Sequence, residues 1–174
     1  MALGAIALAL VSGAGWYFAS PGYALMQLRD AAIQGDETEL EERIDFPKVR
    51  DNLKTEFRAQ MTQQLAKETD GFAQLGGMMA MGMVDGMVDG FVNADTMGNM
   101  VREGQLKKQD GEPAGQSLEW NIQRRGFDRF TARPKGQAIG DSPALQFERD
   151  GFGWRLVEID LPDKLMEQGA AAGR

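Results

Sequence analysis

Apolar side chains change their spacing twice along this chain, and the changes divide it into three stretches. From Met1 to Ala19 there is no charged side chain, and Leu3, Ile6, Leu8, Leu10, Val11, Trp16, Tyr17 and Phe18 stand among small residues. Such a run is long enough, at about 1.5 Å per residue, for a helix to cross a hydrocarbon core. Trp16 and Tyr17 fall at its end, where an aromatic belt meets lipid headgroups. Residues 1–20 are therefore expected to form a signal anchor or transmembrane helix. A cleaved signal peptide and a buried core helix are the alternatives: Ser12 and Ala14 suit a small-x-small cleavage site, yet the usual basic leader is missing.

The second stretch, 21–105, reads as helical. Pro21 opens an apolar stripe of Tyr23, Leu25, Met26, Leu28, Ala31, Ala32 and Ile33 that Gly35 ends. Asp36 predicts the N-cap of a short acidic helix through Glu37, Glu39, Leu40, Glu41 and Glu42. Asp45-Phe46-Pro47 restarts the chain, after which Val49, Leu53, Phe57, Met61 and Leu65 recur every four residues among charged neighbours. A four-residue unit then repeats: Met83-Val84-Asp85-Gly86, Met87-Val88-Asp89-Gly90, Phe91-Val92-Asn93-Ala94. On a helix this step keeps equivalent positions on neighbouring faces. Gly82, Gly86, Gly90 and Ala94 form a smooth ridge, Met83, Met87 and Phe91 a bulky one, and Asp85, Asp89 and Asn93 a polar one. Glycine inside a helix costs about 1 kcal/mol relative to alanine, so the smooth ridge is expected to be a close-packing surface for another element or a partner. Methionines here can also line an adaptable apolar cavity for a lipid or a partner helix. The alternation Met79-x-Met81-x-Met83 is a copper(I) pattern only for an extended chain, and neither a metal nor a cofactor is expected.

In the third stretch a linker at 106–116 leads to period-two alternation at Leu118, Trp120 and Ile122, a run from Phe127 to Arg133, Leu145 to Arg149, and Trp154 to Leu161. Asp150-Gly151 supplies hairpin-turn residues, and Pro162 halts the last strand. Residues 117–163 are thus expected to form an antiparallel sheet in the same domain as the helices, with a flexible tail at 164–174. The fold class is α+β: an N-terminal membrane helix and several amphipathic helices packed on a C-terminal four-stranded antiparallel meander.

Composition narrows the chemistry. Among 174 residues there is no His and no Cys, which removes imidazole bases, thiol nucleophiles, thiolate metal sites and disulfides. The net charge of −7 disfavours nucleic acid as a partner. That charge lies in the helical half, where 22–105 hold 15 acidic and 8 basic side chains, whereas 106–174 hold 11 of each. Balanced charges on strands read as cross-strand pairs on an exposed face. Arg155 stands apart: by alternation it points with Val157 and Ile159, where it would bind Glu148 or an anionic ligand. No phosphate-binding or dinucleotide fingerprint occurs, and no catalytic residue is assigned.

The chain resembles a bacterial family of small membrane-anchored proteins known only as a domain of unknown function. The resemblance is carried by Ser-Pro-x-Tyr-Ala-x-x-Gln-Leu-Arg-x-Ala-Ala at 20–32, Gly35-Asp36, Asp45-Phe46-Pro47 with Val49-Arg50 and Leu53-Lys54, the Val-Asp repeats, and Trp154-Arg155-Leu156-Val157-Glu158-Ile159. It implies a location and an architecture, but no catalytic residue. The order of helices then sheet is similar, by analogy alone, to the cone folds of nuclear-transport-factor-type domains. Together these features lead to the expectation of a non-enzymatic protein of the bacterial inner membrane. It would cross once through residues 1–19 and place its globular part in the periplasm, as an accessory or assembly subunit of a membrane protein complex. The alternative is a periplasmic pocket protein for a lipid-like or anionic small molecule. Gly82, Gly86, Gly90, Met83, Met87 and Arg155 are the candidate contact residues.

Overall fold

The computed structural model describes residues 17, 20–66, 71–99, 119–136 and 142–162. Apart from Tyr17 and Ser20, the expected anchor lies outside the described residues, as do the linker at 106–116 and the tail at 164–174. No described helix is long and apolar enough to cross a membrane.

Helix α1 is described over 20–34. It ends in a Schellman motif: Gly35, at φ 65°, donates to Ala32 O, and Asp36 N–H donates to Ala31 O. The Asp36 side chain then accepts from Glu39 N at 3.0 Å and caps α2 (Glu37–Arg43). Beyond it Asp45 has two tasks. Its N–H donates to Leu156 O at 2.8 Å on the sheet, and its carboxylate accepts from Lys48 N to start α3 (Phe46–Leu65). The sequence Asp45-Phe46-Pro47 is therefore a docking and capping device, with Phe46 and Val49 buried immediately behind it.

Helix α4 (Gly71–Phe91) runs antiparallel to α3, because Arg58 pairs with Asp85 while Lys54 pairs with Asp89 at 2.7 Å. The repeat stops being one helix at its third unit. Asn93 accepts from Thr96 N at 2.8 Å and so caps a separate short helix, α5, described over 94–99, in place of extending the polar ridge. On α5, Gly98 is where close approach is real: a Cβ there would lie 3.5 Å from Gly35 Cα.

Strands β1 (Trp120–Arg125), β2 (Arg129–Pro134), β3 (Ala144–Asp150) and β4 (Gly153–Asp160) form the expected meander in the order β1-β2-β3-β4. Phe130 stacks on Phe147 at 4.5 Å and meets Trp154 edge-on at 4.8 Å, which places an aromatic cluster at the centre of the helix-facing side. Trp154 Nε1 donates to Ser20 Oγ at 3.0 Å, satisfying the one polar group that the cluster buries and tying α1 to the sheet. Strand β4 is an edge. Ile44, Asp45 and Asn52 cover it, the last through Nδ2 to Val157 O at 3.1 Å.

Candidate interaction surface

The α3–α4 pairing decides how the repeat is oriented. Arg50, Lys54 and Arg58 recur every four residues on α3, and Asp89 and Asp85 recur every four on α4, so the two ladders meet. With the aspartates turned to α3, Val88 is buried and Val84 packs on the core. The other two ridges then face outward. Met83 and Met87 are 69% and 59% exposed, and Met79 and Phe91 extend the same stripe with 78% and 54% exposure.

Close packing of the glycine ridge within the fold is corrected by this geometry. A Cβ built on Gly82, Gly86 or Gly90 meets nothing within 4 Å, so no described element of the chain approaches them. Ala94 is buried, but on α5 and off the ridge. The glycine that does receive a neighbour from α3 is Gly77, where a Cβ would collide with the Leu65 side chain. The six site residues proposed from sequence divide accordingly. Gly82, Gly86, Gly90, Met83 and Met87 come together on one open helix face, and Arg155 lies elsewhere. Met79 and Phe91 were not among them, although their four-residue spacing from Met83 and Met87 was visible. Because 79–83 is helical, Met79 and Met83 share a face while Met81 is half-buried, and the extended ligand strand needed for copper does not form.

Arg155 does not bind Glu148. Its guanidinium donates to Glu41 O at 3.1 Å and Ile44 O at 3.0 Å, closing the carbonyl end of α2. Nor does it point with Ile159. Phe147 pairs with Leu156 and Gln146 with Glu158, leaving Val157 as an extra residue in a β-bulge that inverts the alternation. Glu148 is taken instead by Lys48 at 2.8 Å and Arg129 at 3.0 Å. The expected cross-strand pairing of charges is thus present, as Arg129–Glu148.

Beside these charges lies an open cleft of about 460 Å³, lined by Lys48, Asp51, Asn52, Gln146, Glu148 and Glu158 among others. Phe147 and Val157 share its walls with these charged and amide side chains, so the cleft is mixed in character and open to solvent, unlike the enclosed apolar cavity that suits a lipid-like molecule. Hydrogen bonding to Glu148 and its charge raise the Lys48 pKa above 10.5, so that cation is already committed. Burial, and then the Asp160 charge, raise the Glu158 carboxyl above its ordinary value of 4.5. A raised carboxyl pKa means that the folded state binds the proton more tightly, so ionised Glu158 opposes folding above its folded pKa and is neutral in effect below 4.5. Glu158→Gln is expected to raise the melting temperature near neutral pH, with the gain shrinking on acidification and absent below 4.5. Scanning calorimetry of both proteins across that range checks it, and a gain independent of pH would show that ionisation is not its cause. Among the described residues no group of three or more acidic side chains could hold a metal ion.

No curated protein and no solved structure matches the chain. A family profile matches residues 10–100, which cover the whole α3–α4 pair and its outward stripe. The chain belongs to the family described as a protein of unknown function, DUF2939.

Proposed function

We propose that this chain is a non-catalytic accessory or assembly subunit of the bacterial inner membrane, tethered by a single crossing through residues 1–19, with its globular part in the periplasm and α4 as its docking helix. The observation carrying this reading is the outward stripe Met79, Met83, Met87 and Phe91 beside Gly82, Gly86 and Gly90. The stripe runs about 18 Å along the helix, and methionines repack readily against a partner. Glycines beside it let a second backbone approach closely. The pocket reading, with its cone-fold analogy, draws less support: the cleft is open and of mixed lining, and its cations Lys48 and Arg129 already serve Glu148.

A photoreactive side chain at position 83 or 87 of the full chain, activated in its own membranes, tests this. Discrete protein adducts are expected from both positions, none from exposed Thr38 on α2, and loss of the adducts in Gly86→Leu. A chain that sits in the membrane fraction yet gives no adduct from α4 would rule out the docking helix.

A further inference from the structure

Two hairpin turns leave large apolar side chains in water at the same end of the sheet. Phe127, in the β1–β2 turn, is 79% exposed, and Phe152, in the β3–β4 turn, is 88% exposed. Turns normally carry polar residues, and here Gly126, Asp128 and Gly151 supply the turn chemistry without needing either phenylalanine. The turns are neighbours, since Arg149 N donates to Asp128 O at 2.8 Å and Arg149 Nε to Phe127 O at 3.1 Å.

Tyr17 is fixed at this same end. Its hydroxyl donates to Gly126 O at 3.3 Å, its ring lies 5.7 Å from that of Phe127, and Arg124 stacks over it at 4.1 Å while donating to its carbonyl. Tyr17 directly follows an uncharged apolar run of sixteen residues. Around it the turns and the strand ends beside them contribute Arg124, Arg125, Arg129 and Arg149 against Asp128, Asp150 and Glu148, the last paired with Arg129, so cations stay in slight excess on a chain of net charge −7.

We infer that this end of the sheet is a membrane-contact face: Phe127 and Phe152 enter the headgroup layer of the bilayer, and arginines including Arg125 meet the phosphates of anionic lipids. The inference rests on residues 1–19 being a membrane anchor. If they are, Tyr17 sits at the headgroup level, and Phe127 lies one ring's distance from it. Exposed aromatics with cations beside them are the combination that holds a surface in the interface. The tether would then fix an orientation, with this end on the lipid and the β2–β3 end directed away.

The chain has no cysteine, so single nitroxide labels can be placed without background. Full-length Phe127→Cys, Phe152→Cys and Lys135→Cys, the last just beyond β2 at the opposite end, would be labelled and reconstituted in vesicles of equal parts phosphatidylcholine and phosphatidylglycerol. Power saturation is expected to give an oxygen-to-nickel-chelate accessibility ratio severalfold higher at 127 and 152 than at 135. Adding Arg125→Glu should lower the ratio at 127 and 152. If the chain floats with the vesicles and all three labels are equally wet, the membrane-contact face is overturned and the tether stands. If the chain does not float with the vesicles, the anchor reading fails and this inference falls with it.

Discussion

Phe130→Ala is expected to remove about 3–5 kcal/mol of folding free energy, a large part of the about 5–15 kcal/mol that a domain of ordinary size possesses. Phe130 is 1% exposed and touches both aromatic partners of the core, Phe147 face-to-face and Trp154 by its edge. Removing the ring leaves a cavity that β-sheet neighbours cannot close, because backbone pairing to β1 and β3 holds them in register. It also frees Trp154 to move from Ser20, which would leave the indole N–H buried without its acceptor. Urea unfolding followed by circular dichroism measures the loss. Phe130→Leu, which keeps most of the volume, should cost less than half as much; equal costs would mean that ring contacts and not packing volume set the stability.

The local punctuation of this fold was legible in the sequence. Gly35, Asp36 and Asp45 act through their own backbone or side chain on residues within a few positions, so the pattern alone announces where α1 stops and where α2 and α3 start. Asp150-Gly151 announced its hairpin for the same reason, with Gly151 at φ 56°. What depended on distant partners was not legible. The repeat offers two apolar ridges, and only its pairing with Arg50, Lys54 and Arg58 decides that the valines go inward and the methionines outward. That choice had a trace in the sequence, since both ladders share a four-residue step, but matching them requires knowing that α3 and α4 are neighbours.

Arg155 was misplaced for a different reason. A period-two reading passes straight through Val157, because no glycine or proline marks the bulge there. Phe127 was absorbed into a strand by the same reading, whereas its turn position exposes it. In both cases one residue of slip changes the face on which a side chain lies, and with it the role assigned.

Combining Gly82→Ala, Gly86→Ala and Gly90→Ala is expected to stabilise the isolated chain by about 2–3 kcal/mol, since each helix-interior glycine costs about 0.8–1 kcal/mol relative to alanine. The three methyl groups enter open space, so no collision offsets the gain. The measurement is the urea midpoint at unchanged slope, which separates a stability change from a change in the surface exposed on unfolding. The same methyl groups roughen the ridge that a partner backbone would approach, so photo-crosslinking from position 83 should weaken while the fold strengthens. Opposite movement of the two readouts is the signature of residues kept for contact at a cost in stability. A fall in stability would mean that α4 is packed on that side within the folded chain. A rise with undiminished crosslinking would leave the methionines as the contact and the glycines without a part in it.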